Sequence, residues 1–100
     1  MFYTIVQNNS GGLIVRNENV SDAVCIEANS IEQAKGLLMN ITANYSHYCP
    51  CCGPRWEFDL DEDDECDVPH IWGEPLDEID DFNGDVIIHF LDGRKQKINL

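Results

Sequence analysis

Apolar and polar positions alternate with a readable period over three parts of the chain and lose it over a fourth. "FYTIVQ" (2–7) is β-branched and aromatic and predicts a strand. "NNSGG" follows with turn residues, and "LIVRN" (13–17) reads as the returning arm of a hairpin. "AVCIEA" (23–28) predicts a third strand, in which Cys25, between Val24 and Ile26, packs as a small hydrophobe. In "NSIEQAKGLLMNITANY" the residues Ile31, Ala34, Leu38, Ile41 and Tyr45 recur at helical spacing. Ser30 caps this helix, and Gln33 completes a capping box. Gly36 costs the helix about 1 kcal/mol relative to alanine, so it marks either a close backbone contact or a tolerated glycine.

The chain closes with "DVIIHFLDGRKQKINL" (85–100), where Asp92-Gly93 is a type I′ turn signal. A two-residue loop pairs Leu91 with Arg94, Ile87 with Ile98 and Asp85 with Leu100. The first strand is apolar on both faces and belongs in the centre of a sheet. The second, with Lys95 and Lys97, reads as an edge blunted by lysines. These elements predict an α+β domain: an antiparallel sheet of about five strands, one helix packed on a face, and a cysteine-anchored acidic loop. One domain spans 1–100, with hairpin, strand and helix in 1–48, the cysteine and acidic loop in 49–84, and a C-terminal hairpin in 85–100. That hairpin either joins the sheet or supplies the surface of a homodimer.

Charge changes the picture most in the unperiodic part. The net charge is −13, and from Glu57 to Asp85 there are fourteen acidic residues with no Lys or Arg. Three of the six basic residues cluster in "RKQK" (94–97). The acidic part repels phosphate backbones, which disfavours ordinary nucleic-acid binding. It is either a solvated, solubilising loop or a surface that docks on a basic partner or imitates nucleic acid. In the second reading Asp59, Asp61, Glu62, Asp63, Asp64, Glu65 and Asp67 carry the contact. An EF-hand is excluded, since counting from Asp59 the sixth and twelfth positions are Asp64 and His70 rather than Gly and Glu. No run of 18 apolar residues exists, and "MFYTIVQNNSGG" lacks the marks of a signal peptide. The expectation is a cytosolic protein with no membrane partner, whose five cysteines stay reduced.

Three of those cysteines crowd into "YCPCCGPRW" (48–56). A redox centre of the C-P-x-C kind wants its first thiol at a helix N-terminus. Here the cysteines follow a helix, and Gly53-Pro54 blocks the start of another. Metal binding fits better: Cys49-x-x-Cys52-Gly53 resembles the knuckle of zinc ribbons. Zinc takes four ligands, and Cys66 with His70 completes C-x2-C-x13-C-x3-H, with Cys51 and His47 as alternates. Four protein ligands leave no open position, so such a zinc is structural. A metal-free turn of buried thiols is the competing reading.

Catalytic groupings are thin. His89 reads as a structural histidine on a central strand, and there is no Ser-His-Asp context, phosphate-cradling glycine loop or H-E-x-x-H. An enzyme is not expected. Trp56 and Trp72 flank the acidic loop and either pack it down or form a stacking wall. A second binding reading groups Arg55, Trp56, Arg94, Lys95 and Lys97 as contacts for a nucleotide in a pocket between subunits.

"FYTIVQNNSGG", "IEANSIEQA", "CPCCGPRW", "IWGEP" and "VIIHFLDGRK" together resemble a family of small acidic, uncharacterised proteins of tailed bacteriophages, over nearly the whole length. Its members share the cysteine cluster followed by an aromatic. The resemblance implies a setting, the cytoplasm of an infected bacterium, and no activity. Small acidic phage proteins of this sort commonly act by binding. The expected function is therefore a non-catalytic accessory protein that inhibits a host factor, such as an antiviral defence component, through its acidic surface. The alternative is a sponge that sequesters a nucleotide second messenger of host defence.

Overall fold

Four strands form the central sheet: β1 (Phe2–Val6), β2 (Ala23–Glu27), β7 (Asp85–His89) and β8 (Lys95–Asn99), in the order β1-β2-β7-β8. Between β2 and β7 come helix α1 (Ile31–Thr42) and the short pairs β3 (Tyr48–Cys49) with β4 (Gly53–Pro54) and β5 (His70–Ile71) with β6 (Glu74–Pro75). A 3-10 turn covers Leu76–Glu78. The computed structural model describes residues 1–7, 14–43, 48–49, 53–54, 56, 60, 65–71, 73–79, 82 and 84–100, with 48–49 and 53–54 through their backbone.

The α+β class is as expected, with two differences of detail. The sheet is mixed rather than wholly antiparallel: β1 and β8 run antiparallel to their neighbours, but β2 and β7 are parallel, Val24 beside Ile87. It also has four strands, because Ile14–Arg16 is not a strand. Gln7 supplies the physical reason. Its buried amide accepts from the Val15 N–H at 2.7 Å and donates to the Val15 carbonyl at 2.9 Å and the Ser21 carbonyl at 2.8 Å. A side chain thus satisfies the backbone groups a partner strand would have taken, while β1 pairs with β2. The "NNSGG" turn lies outside the described residues.

The closing hairpin is shifted one residue from the predicted register. Val86 stands opposite Ile98, Ile87 opposite Lys97 and His89 opposite Lys95. The Gly93 N–H donates to the Phe90 carbonyl at 3.0 Å, the Phe90 N–H donates to the Arg94 carbonyl at 2.8 Å, and Gly93 has φ +95°. This is a three-residue loop closed by a left-handed glycine, the usual next choice after the two-residue turn. Asp92 favours it by accepting from the Arg94 N–H at 3.1 Å and from Arg94 Nε at 2.7 Å. A slip of one residue exchanges the two faces of a strand, so Ile98 joins Val86 and Ile88 instead of Ile87. As expected, β7 is central and the lysine-bearing β8 is an edge.

Both faces of the sheet are covered. On one, Tyr3, Ile5, Val24 and Ile26 pack against Ala34 and Leu38 of α1. Ser30 Oγ accepts from the Gln33 N–H at 3.1 Å, and Gln33 Oε1 accepts from the Asn29 N–H at 2.6 Å, so the capping box closes on Asn29. Gly36 is exposed with open space where a Cβ would stand, which makes it a tolerated glycine. On the other face, Ala23, Cys25, Val86 and Ile88 pack against Ile71 and Leu76, with Ile79 and Phe82 beside them. The acidic segment supplies this second cover. Burying an Ile or Leu side chain stabilises by about 1.5–3 kcal/mol, so Ile71 and Leu76 hold it firmly against the sheet.

The two halves meet at Asp22. Its carboxylate accepts from Arg16 Nη2 at 2.9 Å and from the Asp85 N–H, at the start of β7, also at 2.9 Å. Gly84 precedes Asp85 with φ +152°, and a Cβ there would stand 2.6 Å from Asp22 Cγ. Burial alone would raise the Asp22 carboxyl, but the Arg16 guanidinium and the Asp85 N–H outweigh it and hold it below the ordinary carboxylate range.

Candidate functional site

Two surfaces carry unusual chemistry, and the first is the acidic layer over β2 and β7. Cys66 joins it to the free edge of β1: the Phe2 N–H donates to the Cys66 carbonyl at 2.7 Å, and the Cys66 N–H returns to the Phe2 carbonyl at 3.1 Å. Thr4 Oγ1 donates to the His70 carbonyl at 2.6 Å. Tyr3, whose ring is wholly buried, donates its hydroxyl to Glu65 Oε2 at 2.7 Å. Burial first, and then the Glu65 carboxylate, push the Tyr3 phenol up to about 12. With apolar residues turned inward, Asp67, Glu74, Asp77 and Glu78 are left exposed. None of these four forms an ion pair among the described residues.

At the side of this layer an open groove of about 490 Å³ runs between it and the edge of the sheet. Val68, Pro69, Pro75 and Leu76 form one wall, Ile88, Gln96 and Ile98 the other, and Asp77 and Glu78 also line it. Val68 is 41 % exposed.

The second surface is a cavity of about 390 Å³ lined by Asn19, Asn40, Ile41, His89, Phe90, Gly93, Arg94 and Lys95. His89 Nε2 donates to the Asn19 carbonyl at 2.7 Å, and Lys95 Nζ donates to Asn19 Oδ1 at 3.0 Å. Burial, together with nearby Lys95, lowers the His89 pKa against the raising effect of that hydrogen bond, which disfavours its cation. Arg94 lies 5.0 Å over the Phe90 ring while bound to Asp92. The cavity collects cations but pairs one with a carboxylate, and Asn40 and Ile41 belong to the last turn of α1, where the negative end of the helix dipole disfavours an anion.

The predicted metal ligands divide between described and undescribed positions. His70 is buried with both ring nitrogens engaged: Nδ1 accepts from the Gly73 N–H at 3.2 Å, so Nε2 carries the proton and donates to the Phe2 carbonyl at 3.1 Å. In this state it has no spare lone pair for an ion. Cys66 is half-buried beside it, and Cys49 stands opposite Gly53 in the β3–β4 pair. Cys52, Cys51 and His47 lie outside the described residues. Among the described residues no three His, Cys, Asp or Glu side chains converge as a metal site. Cys25 is fully buried, and that burial pushes its thiol up to about 11, as for a packing residue.

Of the predicted partner-binding acids, Asp67 is exposed on the acidic layer and Glu65 is bound to Tyr3, a residue of the helix-side core, while Asp59, Asp61, Glu62, Asp63 and Asp64 lie outside the described residues. Of the predicted nucleotide contacts, the cavity gathers Arg94 and Lys95 but not Lys97, which lies 3.5 Å from Asp85. Trp56 is in the core, bridged to Gln7, and its buried Nε1 has no hydrogen-bond partner among the described residues. Arg55 and Trp72 lie outside the described residues. Sequence reasoning missed the groove entirely. Its signal was the placing of single apolar residues, Val68 and Leu76, among acids.

The molecule is thus an α+β domain whose mixed sheet is covered by a helix on one face and an acidic layer on the other. The chain belongs to the DUF7296 family, described as a domain of unknown function, whose model matches residues 1–100. No curated protein and no solved structure matches it. Among the described residues no helix is long and apolar enough to cross a membrane.

Proposed function

We propose that this protein is a non-catalytic bacteriophage accessory protein. It inhibits a host factor, a component of antiviral defence, by docking its acidic layer on a basic surface in the host cytoplasm, where that layer takes the place of nucleic acid. One observation carries the reading: over its described residues 65–71 and 73–79 the acidic segment is a packed layer, with Ile71 and Leu76 buried beneath exposed Asp67, Glu74, Asp77 and Glu78. A solvated tail would need no such anchors. Carboxylates on a fixed backbone form a defined electrostatic surface, and such surfaces govern association rate and specificity.

The test is purification of the tagged chain from infected host cells with its bound partner. The partner is expected to dissociate in high salt and to be lost when Asp67, Glu74, Asp77 and Glu78 are neutralised together. A partner retained through both treatments would falsify the electrostatic mechanism.

A second reading, sequestration of a nucleotide messenger, is favoured by the cavity that holds Arg94, Lys95 and His89. All of its lining residues come from one chain. Its charge is offset by Asp92 and by the end of α1, so the acidic layer is the stronger reading. Incubation with defence nucleotides, followed by measurement of the free ligand, decides it: no depletion and no thermal shift remove it.

A further inference from the structure

We infer that the groove beside the acidic layer is an anchor site for a short segment of a partner protein that carries apolar side chains flanked by Lys or Arg. The inference rests on the docking reading above and names the chemistry of what docks. Three observations lead to it. The groove is concave and lined chiefly by Val68, Pro69, Pro75, Leu76, Ile88 and Ile98, and its volume of about 490 Å³ falls in the range of roughly 300–1,000 Å³ found for ligand sites. Val68 is left 41 % exposed at its wall, while Leu76 and Ile88 beside it are buried. Asp77 and Glu78 line the same groove, and neither has an ion pair among the described residues.

Charge selects the occupant. An apolar groove alone accepts any hydrophobic chain, but carboxylates at its rim repel an acidic segment and attract a basic one. A second copy of this chain is a poor occupant, since at −13 each the two molecules repel. The apolar anchors bury in the groove and supply most of the affinity, as central apolar contacts do at interfaces, while the flanking cations meet Asp77, Glu78 and Glu74 in solvent. The same arrangement separates a protein partner from nucleic-acid mimicry alone, which needs the charges but not the groove.

The test uses synthetic peptides as probes, followed by fluorescence anisotropy and methyl NMR on the full chain. A Lys-Lys-Leu-Val-Lys-Lys peptide is expected to bind saturably and to shift the methyls of Val68, Leu76, Ile88 and Ile98. Replacing Leu-Val with Ser-Ser is expected to weaken binding at least tenfold, and so is exchanging the lysines for glutamates. Val68→Lys, at an exposed position that leaves the fold intact, is expected to weaken the first peptide at least tenfold. Asp77→Asn with Glu78→Gln is expected to weaken both lysine peptides. If the Ser-Ser peptide binds as well as the Leu-Val peptide and Val68→Lys changes nothing, the groove is not the anchor, although acidic docking stands. If the glutamate peptide binds equally, the assigned occupant is wrong. Failure of both lysine peptides to bind at low salt removes the groove and the acidic docking together.

Discussion

The two covers of the sheet do the same job by different means, each packing apolar residues against one face. On one face a single amphipathic helix repeats its apolar residues every three to four positions, and its pattern is visible without a structure. On the other, the cover is a two-residue hairpin, a 3-10 turn and short connections, with Ile71 and Leu76 as its buried anchors. Between those anchors stands exposed Glu74, and exposed Asp77 and Glu78 follow the second. A helix can be recognised because each residue's direction follows from its neighbours; an irregular layer is built residue by residue, and its apolar positions have no period. Within the described residues 65–79, single Val, Ile and Leu residues among acids mark a packed layer rather than a solvated stretch.

That equivalence can be broken by truncation. Ile71→Ala and Leu38→Ala are each expected to cost about 2–5 kcal/mol in urea unfolding, the range for large-to-small core changes. An Ile71→Ala cost near zero, with Leu38→Ala destabilising as expected, would mean that the acidic layer is not packed.

A smaller effect distinguishes carboxylates that hold the fold from those that only present charge. The Asp22 carboxyl is depressed in the folded state, so the stability it adds is complete above its ordinary value of 3.8 and is lost as pH falls through the folded value. Asp22→Asn is expected to cost about 1–2 kcal/mol at neutral pH, in line with hydrogen bonds to a charged group, and nothing at the acid end of a pH series of unfolding curves. Asp77→Asn with Glu78→Gln, in contrast, is expected to leave stability unchanged or slightly raised at neutral pH, because it relieves repulsion among exposed acids.

The smallest test makes one substitution in each cover. Gly36→Ala, on the exposed side of α1, is expected to stabilise by about 0.5–1 kcal/mol. Gly73→Ala, in the β5–β6 turn at φ +84°, is expected to destabilise by about 1 kcal/mol, since alanine disfavours that backbone region. Thermal unfolding of the two variants reads both signs.

Much of the fold was legible. Residues 2–7, 23–28 and the helix expected within 29–45 announced themselves by composition, period and cap, although α1 is described only over Ile31–Thr42 and Tyr45 lies outside the described residues. The placing of β7 in the centre and β8 at the edge followed from their side chains. Three features were not. Gln7 replaces a strand partner with a side chain, and nothing in "LIVRN" distinguishes backbone groups met by an amide from groups met by a ladder. Asp92-Gly93 indicates a turn but not whether it holds two residues or three, and that one residue decides which face Ile98 joins. The parallel pairing of β2 with β7 joins segments about sixty residues apart, where local pattern says nothing. The candidate site was less legible. Its acids were counted correctly, but the groove exists only because Val68 and Leu76 meet Ile88 and Ile98 across the fold.

The strand order also carries a consequence in time. The acidic layer lies on a floor made by β2 from the first third of the chain and β7 from the last fifth, and its own residues come between them. During synthesis that layer leaves the ribosome before half of its floor exists. Its anchors have nowhere to settle until β7 arrives and closes the long-range parallel pair, a step that carries the entropy of a large loop. The binding surface is therefore among the last parts of the molecule to take shape, and a chain cut short before residue 85 would display the charges without the form.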